Sequence, residues 1–155
     1  MIVILDSGVL GKLCNPNPSE ETIAVKEWLY SLLAQGVRVV TNYICDYEVR
    51  RALILNSLRG LSSGGISNLN ELEKIVEFLP LSEKILKTAA SLWAEVRSQG
   101  MPTASEKNID VDIIICAQWK LLTEEFPGRY IVIATTNVLH LSRFAEAQEW
   151  RNIKF

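Results

Sequence analysis

Short apolar runs alternate with long helical patterns along this chain, and the alternation limits the folds it can adopt. Ile2–Leu5 and Ile131–Ala134 contain only apolar, mainly β-branched residues, with no polar side chain to face water. Such runs are typical of central parallel strands, which are buried on both faces. Because parallel strands need helical crossovers, the pattern predicts a three-layer α/β/α sandwich around a central, mainly parallel sheet.

Capping residues and glycines mark the predicted helix ends, as Ser19 and Gly36 do for one helix. Helices are predicted at Ser19–Gln35, from Thr41 or Asn42 to Arg59, and at Asn68–Phe78, Ser82–Gln99 and Asp110–Glu125. Strands are predicted at Ile2–Leu5, Val37–Val40 and Ile131–Ala134, with an extended segment at Phe78–Leu81, a polar loop at Met101–Asn108 and a last edge strand at Asn152–Phe155.

Length and composition fit a single domain over residues 1–155. The chain has 155 residues, of which 48% are hydrophobic and 22% charged, and its net charge is −2. No global positive field therefore attracts nucleic acid, although local basic patches are still compatible with this charge. The sequence has no membrane-length apolar run and no signal-peptide pattern at its start, and its cysteines, Cys14, Cys45 and Cys116, are dispersed. We expect a cytoplasmic protein with reduced thiols and no membrane association.

Polar residues follow two of the predicted strands. Asp6 and Ser7 come directly after the first strand, and Thr135, Thr136 and Asn137 follow Ala134. Ligand sites in open α/β sheets lie outside the carboxyl ends of the strands. Asp6 is therefore either a site residue or only an N-cap or turn former for the next segment.

Glu48 lies within an apolar arc on a helical wheel drawn from Ile44, an arc that also contains Leu55, Leu58 and Arg51. An acid on a buried face needs a cation, a metal ion or a proton. Two interpretations follow: an ion pair with Arg51 at i, i+3 spacing, or a metal-binding acid at the edge of a cleft.

Two further acids begin the very apolar helix near residue 110. Asp110 and Asp112 would point about 200° apart in a regular helix, so they cannot both face one site. Asp110 is the natural cap. Asp112 would then point inward near Cys116 and Trp119, where a solitary carboxylate is costly.

Asp6, Glu48 and Asp112 are each acids at a predicted strand end or buried helix face. Gathered in one cleft they would repel one another unless a divalent cation bound them, and their oxygens suit Mg²⁺ or Mn²⁺. Such ions activate water and stabilise the charged oxygens of a phosphodiester. The sequence has no phosphate-binding glycine loop or nucleophile elbow, and we interpret its one histidine, His140, as a surface or capping residue.

Four stretches of the chain resemble the PIN-domain ribonucleases, which include the VapC-type toxins of toxin–antitoxin systems. They are Ile2–Ser7, Tyr47–Leu53, Asp112–Ala117 and Ile133–Asn137. Each motif is short, but their order, spacing and element types match this family over nearly the whole chain.

The resemblance implies a metal-dependent endoribonuclease with a PIN-like fold, an RNA substrate and an antitoxin protein as a partner. It implies Mg²⁺ or Mn²⁺ ligands at Asp6, Glu48 and Asp112. Ser7 and Thr135 would support the metal ligands. Asn137 occupies the position of the family's fourth acid, and Asp110 would partly replace that acid. The RNA-binding candidates are Arg50 and Arg51.

Two other functions remain open. A PIN-like domain that has lost efficient catalysis would bind RNA or a protein. A receiver-like or flavodoxin-like regulatory domain would need a phosphoacceptor and a later strand that ends in a lysine, and no lysine follows the strand Ile131–Ala134.

A homodimer is also expected. Val49 and Leu53 lie opposite the apolar arc of their helix and would need a second covering surface. The alternative is that the helix predicted at Asn68–Phe78 covers them within one chain.

Overall fold

The computed structural model describes residues 1–100 and 110–154, in which a wholly parallel five-stranded sheet has helices on both faces. The strands are β1 (Ile2–Leu5), β2 (Arg38–Asn42), β3 (Glu77–Leu79), β4 (Ile131–Thr135) and β5 (Ala147–Glu149). They lie side by side in the order β3-β2-β1-β4-β5. The predicted three-layer α/β/α fold is confirmed.

Seven α-helices connect and cover the strands in the described residues. They are α1 (Ser7–Cys14), α2 (Glu20–Ala34), α3 (Tyr43–Leu58), α4 (Gly65–Leu72), α5 (Glu83–Ser98), α6 (Val111–Glu125) and α7 (Val138–Leu141). The side chains of Ser19, Asn42, Ser82 and Asp110 each accept a hydrogen bond from the first turn of the helix that follows. These caps confirm the predicted helix starts, because a local acceptor satisfies an otherwise unpaired backbone N–H.

β1 lies at the centre of the sheet and sets the position of the site. Its residues pair with β2 on one side and with β4 on the other, where Leu5 is in register with Ala134. The chain leaves β1 toward β2 and β3, then crosses back to form β4 and β5. The carboxyl ends of β1 and β4 therefore meet where the strand order reverses, which is where ligands bind in open α/β sheets.

Several predicted elements were wrong in extent. The helix predicted at Asn68–Phe78 is shorter, because α4 ends at Leu72 and the chain then extends to pair with β2 as β3. The last edge strand is β5, not Asn152–Phe155: Trp150 turns into the core and packs against Trp28, with ring centroids 5.6 Å apart. Phe155 and the loop predicted at Met101–Asn108 lie outside the described residues, and helices α1 and α7 were not predicted.

The buried face of α3 is not the one that the helical wheel indicated. The large exposed apolar residues of the helix are Tyr43, Tyr47, Ile54, Leu55 and Leu58, the last being 82% exposed. Its buried residues are Ile44, Cys45, Asp46 and Val49. Helices α1 and α4 pack against this second face, which tertiary contact selects because apolar residues occur around the whole helix.

Val49 and Leu53 are covered within the chain, so the surface proposed for a dimer was wrong. Val49 is buried and Leu53 is partly buried against the core. A Cβ atom on Gly65, which begins α4, would lie 2.6 Å from a methyl carbon of Leu53, so only glycine allows this close packing. In the part of the chain that the structure describes, no helix combines the length and apolar character that crossing a membrane requires.

Candidate active site

Asp6 is held by two elements at the carboxyl end of β1. One carboxylate oxygen accepts a 2.8 Å hydrogen bond from the Val9 backbone and so caps α1. The other accepts a hydrogen bond from the Thr135 hydroxyl at the end of β4. Thr135 in turn accepts a 2.8 Å hydrogen bond from the Asn137 backbone N–H. Asp6 is thus a helix cap and also lies at the meeting point of two strands.

Burial raises the pKa of Asp6 above the ordinary aspartate value, because a low-dielectric surrounding disfavours the charged form. The hydrogen bonds from Thr135 and Val9 lower the pKa in part, and the charge of Asp112 raises it further. Asp6 and Asp112 therefore influence each other's ionisation although they are distant in sequence.

Asp112 lies half-buried in the first turn of α6, beside three other ionisable groups. Burial is the main cause that raises its pKa, and the charges of Asp110 and Glu48 raise it further. His140 lowers the pKa, with its Nδ1 atom 3.6 Å from an oxygen of Asp112. Glu48, Asp110 and Asp112 thus form an acidic group with one histidine beside it.

Asp110 takes the helix-capping role expected of it. Its carboxylate accepts a 3.2 Å hydrogen bond from the Ile113 backbone N–H at the start of α6. Asp110 lies at the helix start and Asp112 inside the first turn, and the charge of Asp110 raises the pKa of Asp112. Asp112 is more exposed than the sequence predicted, with 38% of its side chain accessible.

Glu48 does not form the alternative ion pair with Arg51. Arg51 lies over the ring of Tyr47, 5.3 Å from its centroid. The ion pair of this helix joins the buried Asp46 to Arg50 through two hydrogen bonds of 2.8 and 2.9 Å. Among the described residues, the carboxylate of Glu48 has no hydrogen bond or ion pair, so it is available to a ligand.

The donor set has the chemistry of a hard divalent cation site, with carboxylates from β1, α3 and α6 coupled through Asp112. Gly8 leaves room beside it, since a Cβ there would lie 3.4 Å from an oxygen of Asp6 and 2.6 Å from the Thr136 hydroxyl. In residues 1–100 and 110–154, however, no three metal-ligating side chains are close enough together to hold an ion as they stand.

Ser7 follows Asp6 in the chain and is the first residue of α1. Its hydroxyl oxygen is buried, and it has no hydrogen-bond partner of good geometry within the described part of the chain. The neighbouring thiol is Cys45, whose pKa burial raises to about 11 while the Ser7 and Thr41 hydroxyls lower it. Ser7 is therefore a buried hydroxyl between Asp6 in the chain and the thiol of Cys45 in space.

His140 is the residue near the acids that sequence reasoning missed. It lies on α7, three residues after Asn137. The signal was available: α7 follows β4 directly, so its side chains lie near the carboxyl end of the sheet. Asn137 itself is exposed, and its side chain does not cap α7.

No protein-family model and no curated protein matches the sequence. Known structures do match it over nearly its whole length. The VapBC-1 structure from nontypeable Haemophilus influenzae has a TM-score of 0.64 at 20% identity and covers 98% of this chain and 100% of that chain. VapC is a PIN-domain toxin. This chain has a PIN-type fold.

Two further VapBC structures share the PIN-type fold. The VapBC2 structure from Rickettsia felis, bound to a promoter DNA fragment, has a TM-score of 0.66 at 16% identity and covers 96% of this chain and 98% of that chain. The DNA-bound VapBC structure from Salmonella typhimurium has a TM-score of 0.65 at 17% identity and covers 97% of this chain and 98% of that chain. At these identities the likeness establishes the fold.

Proposed function

We propose that this PIN-type protein is a metal-dependent endoribonuclease that hydrolyses RNA phosphodiester bonds. The observation that carries the proposal is the electrostatic coupling of Asp6, Glu48 and Asp112 at the carboxyl end of the sheet. Three carboxylates from separate elements, two of them with raised pKa values, are costly to place together unless a cation neutralises them. A bound divalent cation would offset that cost, and metal-assisted phosphodiester hydrolysis is a function that uses such a cation.

Asp6, Glu48 and Asp112 would hold Mg²⁺ or Mn²⁺, and Asp110 would add negative charge beside them. When bound, the ion would supply a nucleophilic water near neutral pH and offset charge on the phosphate oxygens. The protein's own part is to hold the carboxylates. Thr135 fixes Asp6 through its hydroxyl, and Asn137 keeps that hydroxyl oriented through its backbone N–H.

Arg51 is the stronger of the two candidate RNA contacts. It is exposed and lies close to Glu48 on α3, so its guanidinium can meet a phosphate at the edge of the site. Arg50 is bound to Asp46 and donates a further 3.0 Å hydrogen bond to Asn70. It would contact RNA only by giving up part of this network.

We further propose that the protein is the toxin of a cytoplasmic toxin–antitoxin pair. The three similar structures are VapBC complexes, and two of them are bound to DNA. They support an antitoxin protein as the partner of this chain. Its presence is tested by expressing the chain with its neighbouring open reading frame and asking whether the two products copurify.

A homodimer is proposed on a different surface from the one the sequence indicated. The exposed apolar residues along and just beyond α3 are Tyr47, Ile54, Leu55, Leu58 and Leu61. Contiguous exposed apolar surface favours association. Light scattering at high protein concentration should give the mass of two chains, and Leu58→Lys should return it to one.

A second candidate function is an RNA- or protein-binding module with weak catalysis. It is favoured by the neutral Asn137 in the fourth acidic place and by the absence, in the described residues, of a ready three-ligand cluster. Such a module would retain RNA affinity without cleaving the strand.

Single-stranded RNA hydrolysis in Mn²⁺ separates these functions. The wild type should cleave in Mn²⁺ and stop in chelator, and Asp6→Asn should reduce the rate by about 100-fold or more. Glu83→Gln, an exposed acid at the start of α5, should leave the rate unchanged. RNA binding without cleavage would favour the binding module, and cleavage by Asp6→Asn at the wild-type rate would refute the assigned site.

A further inference from the structure

A pair of buried amides joins α6 to the corner between β2 and α3. The Nδ2 atom of Asn42 donates a 3.1 Å hydrogen bond to Oε1 of Gln118. Asn42 is fully buried and Gln118 is 5% exposed. Because both side chains are withdrawn from water, each depends on the other for this hydrogen bond.

Asn42 also fixes the start of α3. Its Oδ1 atom accepts a 2.9 Å hydrogen bond from the Ile44 backbone N–H and so caps the helix. The Asn42 side chain therefore caps α3 with its Oδ1 atom and bonds to α6 with its Nδ2 atom. The first turn of α3 is thus fixed relative to the middle of α6.

The same two helices carry two of the acids of the site. Glu48 lies six residues beyond Asn42 along α3, and Asp112 lies six residues before Gln118 along α6. Helices α3 and α6 pack against each other, and the charge of Glu48 reaches Asp112 while Asn42 bonds to Gln118, so the two helices run antiparallel past each other. Six residues of helix span about 9 Å, so the amide pair lies roughly that distance from the acidic pair.

We propose that Asn42 and Gln118 are a positioning pair that holds α3 against α6 and sets the separation of Glu48 and Asp112. The acids repel each other at one end of this contact, and the amide hydrogen bond opposes their separation from the other end. The role in metal binding rests on the proposed function, whereas the hold on the helices does not.

The test uses variants that remove the hydrogen bond between Asn42 and Gln118 and keep the N-cap of α3. Gln118→Met fills the same space without an acceptor, and Asn42→Ser retains an N-capping oxygen but cannot reach Gln118. Val25→Ala, in the core of α2, serves as a control that lowers stability away from both helices. The probe is MnCl₂ followed by titration calorimetry, together with amide hydrogen exchange in chelator.

Each single variant should weaken Mn²⁺ binding about tenfold. The double variant should bind Mn²⁺ no more weakly than either single variant, because both substitutions remove the same hydrogen bond. In chelator, Gln118→Met should speed amide exchange in the first turns of α3 beyond any change seen in Val25→Ala. Additive losses of Mn²⁺ affinity, or α3 exchange like that of Val25→Ala, would overturn the positioning role. Failure of the wild type to bind Mn²⁺ would refute the proposed function and with it the metal part of this inference, and the exchange result would still decide whether the pair holds the helices.

Discussion

The Thr135 hydroxyl donates a hydrogen bond to the carboxylate of Asp6, which lies 129 positions earlier in the chain. The bond joins the carboxyl ends of adjacent parallel strands, and both residues are buried. Thr135 also accepts a hydrogen bond from the Asn137 backbone. One hydroxyl therefore links β4, the turn after it and the central acid of the site.

Replacing Thr135 should destabilise the fold through these lost partners. Thr135→Val keeps the side-chain shape but leaves a buried carboxylate oxygen and an amide N–H without partners, at a cost of about 1–3 kcal/mol. Thr135→Ser retains the hydroxyl and should recover most of that loss. Urea unfolding of both variants measures the difference, and equal stability of the valine and serine variants would contradict the assigned role.

Asp6→Asn should be at least as stable as the wild type in chelator, because it removes a buried charge and keeps an oxygen to cap α1. Asp6→Ala loses the cap and should be less stable than Asp6→Asn by about 1 kcal/mol. Mn²⁺ at a hundredfold excess over its dissociation constant should stabilise the wild type by about 2.7 kcal/mol.

The Asp6→Asn variant should lose most of the stabilisation by Mn²⁺. Thermal melts in chelator and in Mn²⁺ check both parts of this prediction. If Mn²⁺ raises the melting temperatures of the wild type and Asp6→Asn equally, Asp6 is not a metal ligand.

The stability of the metal-free protein should fall as pH rises above about 4. The pKa values of Asp6 and Asp112 are raised in the folded state, so the unfolded chain releases these protons first, near the ordinary aspartate pKa of about 3.9. Above that pH the folded state binds more protons than the unfolded state, and its stability declines until the raised pKa values are passed. Urea unfolding at a series of pH values should show this decline in the wild type and in Glu83→Gln, and a smaller one in Asp6→Asn. A steeper decline in Asp6→Asn would contradict the assignment.

Replacing each of two glycines of α1 by alanine should have a different effect: a gain in stability at Gly11 and a loss of Mn²⁺ affinity at Gly8. A Cβ on Gly11 meets only a methyl carbon of Val49 at 3.9 Å, so Gly11→Ala should stabilise the helix by about 1 kcal/mol. A Cβ on Gly8 would lie 2.6 Å from the Thr136 hydroxyl, so Gly8→Ala must displace the Thr136 side chain at the end of β4 and should weaken Mn²⁺ binding. Calorimetry measures this loss, which the double variant Gly8→Ala with Thr136→Ala should reverse. No recovery would mean that Gly8 acts through another contact.

Alanine substitutions of two neighbouring arginines should affect different properties: Arg50→Ala should lower stability, and Arg51→Ala should lower RNA affinity. Arg50→Ala leaves the buried Asp46 without its partner and should cost roughly 3 kcal/mol. Arg51→Ala should cost no more than about 0.5 kcal/mol and should weaken RNA binding while lowering its salt dependence. Urea unfolding and RNA titrations at several salt concentrations test the pair, and unchanged RNA affinity in Arg51→Ala would remove it from the interface.

The features of this protein that depend on local chemistry can be predicted from its amino-acid sequence. Two runs, Ile2–Leu5 and Ile131–Ala134, have apolar side chains on both faces and can bury them only in a sheet that is covered on both sides. Both runs form inner strands of the sheet. Ser19 and Asp110 cap helices because their own side chains accept the first free N–H groups. The resemblance in four short motifs led to a PIN-type fold, which the structural likeness confirms, and to acids that the fold brings into electrostatic contact.

The buried face of α3 and the neighbours of each acid depend on tertiary packing. Apolar residues surround α3, so its periodicity fits more than one orientation, and packing by α1 and α4 selects the face with Val49. The approach of His140 to Asp112 and the hydrogen bond between Asn42 and Gln118 join residues far apart in sequence. The bond between Asn42 and Gln118 leaves no local pattern, because its geometry is set by the order of the strands and by how the helices pack on them.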